Sequence, residues 1–115
     1  MAEPQLSPQV QQQLQQLQAL NQQYQVAAQQ RAQYEAMKLE ADQALAAMQE
    51  IPDSAQVYRS IGSLMVQDTK PAATERLKED AETMEVRLVR LQKQETQLRE
   101  QLGALQTKIQ AALKA

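Results

Sequence analysis

The chain has no cysteine, histidine, tryptophan or phenylalanine. Without cysteine there is neither a disulfide nor a thiol nucleophile. With histidine also missing, the usual ligands of zinc and haem are absent, so no metal or cofactor is expected. Three tyrosines are the only aromatic side chains among 115 residues. Aromatic residues supply the largest burial per side chain, so a compact globular core is not expected. No stretch approaches the roughly 18 to 20 apolar residues that a membrane span requires. The opening MAEPQLSPQV lacks the basic region and apolar run of a signal peptide. The expected location is therefore cytoplasmic, with no membrane partner.

Charge of one sign is also lacking. Twelve basic residues face 14 acidic ones, for a formal net charge of −2. Nucleic-acid binding needs a basic stripe that displaces counterions, and none is present. Acidic and basic residues alternate along residues 75–100, as on a solvated helix face. No Lys/Arg cluster precedes the heptads, which removes a basic-region zipper. Nor is an enzyme expected. Adjacent carboxylates such as Glu79 and Asp80 do not face each other on a helix, and there is no Gly-rich phosphate loop and no nucleophile beside a base.

What remains is rich in Ala, Leu, Gln, Glu, Lys and Arg, all helix formers. Ser7-Pro8 reads as a helix start: Ser caps the first N–H groups, and Pro fits the first turn, where its missing N–H costs nothing. Val10, Leu14, Leu17, Leu20, Tyr24, Ala27, Ala28, Tyr34, Met37, Ala41, Leu45 and Met48 then recur at spacings of mostly three or four. They predict one helix over about 8–50, its stripe interrupted at Asn21 and Arg31. Pro52 ends it. A second helix, over about 70–114, carries a cleaner heptad. Leu77, Met84, Leu91, Leu98, Leu105 and Ala112 form one line, and Ala81, Leu88, Glu95, Leu102 and Ile109 the other. That pattern, held over about five heptads, marks a coiled coil. Glu95 is its one charged member and is read as marking register or bending to solvent.

Between the helices the period changes from helical to alternating. Gly62-Ser63 is a two-residue hairpin signal between Val57–Ile61 and Leu64–Asp68. The predicted register sets Ile61 opposite Leu64 and Arg59 opposite Val66. Val57, Ile61, Leu64 and Val66 then share one face, with Tyr58 and Met65 on the other. The expected architecture is mainly α: two long helices in an antiparallel coiled coil joined by a central β-hairpin over 57–68. The helices match in length at about 65 Å each, so the chain termini meet at one tip. A lone hairpin is marginal in water, and its open edges invite further strands. Hairpins of several subunits are therefore expected to close an oligomeric β-barrel.

These segments together resemble the β-type subunits of prefoldin, most closely the archaeal kind. The likeness is carried by SPQVQQQLQQLQ, PDSAQVYRSIGSLMVQDTK, ERLKEDAETMEVRLVRLQKQE and KIQAAL. It covers nearly the whole chain as a single prefoldin-like domain, 1–115. Its most specific parts are Val57-Tyr58 leading into Ile61-Gly62 and Leu64-Met65-Val66, and the run Glu85-Val86-Arg87-Leu88. Two departures are the glutamine-rich first helix and Pro71. The resemblance implies a hexamer of two α-type and four β-type subunits with coiled-coil arms below a double β-barrel. It also implies ATP-independent capture of unfolded proteins between the arm tips and delivery to a group II chaperonin. The expected assembly residues are Val57, Tyr58, Ile61, Gly62, Leu64, Met65 and Val66. The expected client-binding tip holds Leu6, Val10, Leu14, Leu17, Leu105, Ile109 and Leu113. Val10, Leu14, Leu17, Leu105 and Ile109 also serve as seam residues, whereas Leu6 and Leu113 are the exposed contacts. Met37, Met48, Met65 and Met84 are read as packing residues. Two other readings remain: a coiled-coil scaffold or adaptor for one specific partner, and a β-type chain that assembles with itself into filaments.

Overall fold

The computed structural model describes residues 6–114, which form α1 (Pro8–Glu50), β1 (Gln56–Ile61), β2 (Leu64–Thr69) and α2 (Lys70–Lys114). The parts of the expected tip at 1–5 and 115 lie outside the described residues. The α1 start follows from capping. Ser7 Oγ accepts a hydrogen bond from the Val10 N–H at 3.2 Å, and the Ser7 carbonyl accepts one from the Gln11 N–H at 3.0 Å. Pro8 occupies the first helical position, where no N–H partner is required.

The other end of α1 has no basic residue in its last turn, so the carbonyl end of the helix dipole is not met from within the helix. Lys70 meets it instead. Its Nζ donates to the Ile51 carbonyl at 2.8 Å and pairs with Asp53 at 3.1 Å. A cation at a helix C-terminus is favourable for the same reason that an anion is at the N-terminus. The Ala55 N–H donates to the Pro52 carbonyl at 3.0 Å, closing the turn that leads into β1.

The hairpin has the register that the alternation predicts, with Ile61 opposite Leu64 and Arg59 opposite Val66. Each strand extends one residue further from the turn, so Gln56 pairs with Thr69. Gly62 lies at φ +58° and is the only described residue with positive φ. A positive φ at the first of two turn residues alone is the type II′ pattern, whose twist suits paired strands. Strand β2 then becomes α2 without a linker. Thr69 ends the strand and also caps the helix, its Oγ1 accepting from the Ala72 N–H at 3.3 Å. Pro71 stands in the first helical turn, where it breaks no bond.

The chain divides into two compact units, one built from residues up to Arg31 and from Arg90 onward, the other from Ala32–Val89. In each unit a stretch of α1 faces a stretch of α2. In the first, the buried and half-buried line of α1 runs Val10, Gln13, Leu17, Leu20, Tyr24, Ala27 and Arg31. In the second it runs Tyr34, Lys38, Ala41, Leu45 and Met48. The spacing alternates three and four throughout, the signature of a coiled-coil seam. The α2 seam follows the predicted heptad lines, with Leu88, Glu95, Leu98, Leu105 and Ile109 buried.

The α1 stripe read from the sequence therefore needs correction. Leu14 (39% exposed) and Met37 lie outside the seam, and Gln13 and Lys38 take their places. Arg31, read as an interruption, is a seam member. Apolar content misled here: Leu14 and Met37 each stand one residue away from the three-four phase that the rest of the helix keeps. Met37 and Met65 are also exposed rather than packed, whereas Met48 and Met84 are half-buried. Lys38 is tolerated because its stem lies in the seam while its ammonium reaches Asp42 at 3.0 Å and Glu85 at 3.5 Å.

Asp68 fastens the hairpin to α2. Its carboxylate pairs with Arg76 at 2.7 Å and accepts the Thr69 N–H at 2.9 Å. The Arg76 hydrogen bond, with the Thr69 N–H second, holds this carboxyl below the usual carboxylate range. A depressed native value means that the group favours the fold above the ordinary carboxylate pKa, and that this contribution fades as pH falls toward the native value. The Asp68 titration midpoint, followed by NMR, should lie below that of a free aspartate and rise toward it in Arg76→Ala. An unchanged midpoint would remove the Arg76 pair as the cause.

Candidate functional site

The hairpin presents apolar side chains on both faces and has no second layer within its unit to cover them. Val57, Arg59, Ile61, Leu64, Val66 and Asp68 share one face by register, and Gln56, Tyr58, Ser60, Met65, Gln67 and Thr69 the other. Only Val57 and Asp68 are partly covered. Leu64 is 65% exposed and Met65 68%, and Tyr58, Ile61 and Val66 are also exposed. The sheet has two strands, so each has an outer edge with no neighbour among the described residues. Gly62 at the turn meets nothing within 4 Å of the place a Cβ would take. Its requirement is conformational, set by the positive φ.

The expected tip residues divide into two groups within the first unit. Val10, Leu105 and Ile109 are buried and Leu17 is half-buried, all at seam positions. Leu6, Leu14 and Leu113 are exposed, Leu113 at 57%. Leu14 and Leu113 each follow a seam position by one residue and so flank the zipped surface rather than close it. Gln13, at a seam position near this end, has a buried Oε1 with no hydrogen-bond partner.

One pair was missed in the sequence. Arg31 Nε donates to Glu95 Oε2 at 2.7 Å, joining the two charged seam residues of the first unit across α1 and α2. Glu95 is only 7% exposed, and Arg99 approaches its other oxygen at 3.6 Å. The signal was available: two opposite charges at seam phase, 64 residues apart and centred on the hairpin turn. Two tyrosines of α1 are held in a related way. Arg99 donates to the Tyr24 hydroxyl at 3.4 Å with its guanidinium 5.9 Å from the ring centroid. Arg87 does the same for Tyr34 at 2.7 Å and 5.7 Å, both within cation–π reach.

Among the described residues no group of acidic side chains is placed to hold a metal ion, and no helix is long and apolar enough to cross a membrane. In the second unit, stretches of two helices flank the uncovered hairpin. Residues 11–115 match the prefoldin subunit family. The prefoldin subunit beta of Pyrococcus abyssi is 45% identical over 95% of this chain and 93% of its own length. That of Archaeoglobus fulgidus is 42% identical over 94% and 93%. The crystal structure of the prefoldin beta subunit from Thermococcus strain KS-1 superposes with a TM-score of 0.89 at 42% identity, covering 98% of this chain and 99% of that one. The chain belongs to the prefoldin family, with the β-type subunits as its relatives, and is a component of that family of co-chaperones.

The seam pair has a measurable weight. Arg31→Leu should cost about 1–3 kcal/mol in chemical denaturation, because it leaves a buried carboxylate short of its main partner. Arg31→Leu combined with Glu95→Leu should recover most of that loss, since an apolar pair of similar size avoids the desolvation of both charges. A double variant as unstable as the single one would overturn this account.

Proposed function

We propose that the chain is the β-type subunit of a prefoldin hexamer, two α-type with four β-type subunits, which captures unfolded proteins without ATP and passes them to a group II chaperonin. The observation that carries this reading is the hairpin, exposed and apolar on both faces with two open edges, in a chain whose relatives are prefoldin β subunits. Pairing of such hairpins edge to edge would satisfy their backbone groups and cover Ile61, Leu64, Met65 and Val66. The whole chain would act as one prefoldin-like domain in the cytoplasm.

Capture would take place at the tip. Leu6, Leu14 and Leu113 are the contacts available on the closed coil. Val10, Leu17, Leu105 and Ile109 become available where the helix ends open, since ends have the lowest local stability. A single tip offers little surface, and several tips around one space raise avidity through effective concentration. The open hairpin edges also favour a second reading, self-assembly into longer barrels or filaments, and the two readings differ in particle mass.

Two outcomes are expected. Gly62→Val forces a β-branched residue into positive φ and should lower the oligomer mass in light scattering. An unchanged mass would refute the shared-barrel idea. Removal of residues 1–9 and 108–115 should leave the mass intact but weaken suppression of aggregation when a denatured test protein is diluted into buffer without ATP. Undiminished protection by the trimmed protein would move capture away from the tips.

A further inference from the structure

Charge is divided unevenly between the two units. The second unit carries eleven acidic residues against six basic ones. The described residues of the first carry six basic ones, Arg31, Arg90, Lys93, Arg99, Lys108 and Lys114, against Glu95 and Glu100 alone. Glu95 is buried and neutralised by Arg31, which leaves Glu100 as the exposed acid. Arg90, Lys93, Lys108 and Lys114 have no ion-pair partner among the described residues. From residue 6 to 30, through most of the first unit's stretch of α1, no charge of either sign occurs. The near-balance of the whole chain hides a cationic unit and an anionic one.

We infer that the first unit selects, among non-native polypeptides, segments that combine apolar side chains with acidic ones. The inference rests on the client-capture reading above and names the class of client. Leu113 is exposed next to Lys114, and Lys108 lies five residues before it on α2. Leu14 is exposed on the charge-free stretch of α1 before Arg31. The exposed apolar contacts therefore lie among cations and neutral amides. An acidic segment gains attraction there, and a basic one meets repulsion with no acidic residue on the first unit's stretch of α1 to offset it. The charged groups are exposed, so the effect works through encounter and weak holding and is screened by salt within a Debye length of about 10 Å at 0.1 M.

The test uses the full-length chain in the oligomer it forms. Two permanently unfolded polypeptides share one apolar pattern, with Glu at the polar positions of one and Lys at those of the other. Binding is read by fluorescence anisotropy at low and at high salt. The expected result is about a tenfold preference for the acidic polypeptide at low salt, shrinking as salt rises. Lys108→Glu with Lys114→Glu, at exposed positions that leave the seam untouched, should abolish or reverse the preference while helix content is unchanged. Equal binding of both polypeptides would overturn the inference and leave client capture standing. Binding of neither would overturn the capture reading and this inference with it. If only a folded acidic protein bound, the cations would belong to a docking partner, and the inference would again fail.

Discussion

Two helices side by side can bury only one strip each, and the rest of this structure follows from that limit. No large side chain among the described residues is fully buried. A half-covered leucine contributes about half of the 1.5–3 kcal/mol that full burial gives, so the seam gains stability by length rather than depth. The three-four spacing must therefore persist from Val10 to Met48 in α1, whatever residue falls on it. It persists through Gln13, Arg31 and Lys38, which a deeper core would reject. A thin core also leaves nothing over for the hairpin, whose apolar faces stay bare.

The Arg31–Glu95 pair shows what such a seam does with charge. Apolar seam residues are nearly interchangeable, so a run of leucine and alanine permits sliding by a heptad. A single oppositely charged pair does not, because a shift of seven residues would strand each charge against an apolar neighbour. Removing two charges from water offsets much of their attraction. The pair is better understood as fixing alignment within its unit than as a large source of stability. Arg99 and Tyr24 surround it with further polar contacts.

The parts legible in the sequence were those governed by one strong local rule. Gly62-Ser63 between two alternating runs fixed the hairpin register to the residue. The α2 heptad was clear because leucine marks most of its positions. The α1 seam was not, because alanine and glutamine dominate that helix and the off-phase Leu14 and Met37 are more apolar than the seam residues Gln13 and Lys38. At the tip, heptad phase separates Leu6 and Leu113 from the seam residues Val10, Leu17, Leu105 and Ile109, and burial moves only Leu14 from the seam to the exposed group. The uneven charge was hidden by the near-zero total, since it emerges only once Arg90–Ala115 is grouped with the start of α1.

The two helices are joined to the hairpin by unlike connections. Five residues, Ile51 to Ala55, separate α1 from β1, whereas Thr69 is at once the end of β2 and the cap of α2. Asp68 and Arg76 add a side-chain brace on that same side. The α2 junction is thus a welded corner, and the α1 junction a strap held by Lys70. A torque on the hairpin would pass into α2 and be absorbed before α1. Next to the hairpin, α2 is the helix joined without a break and α1 the one joined through a strap.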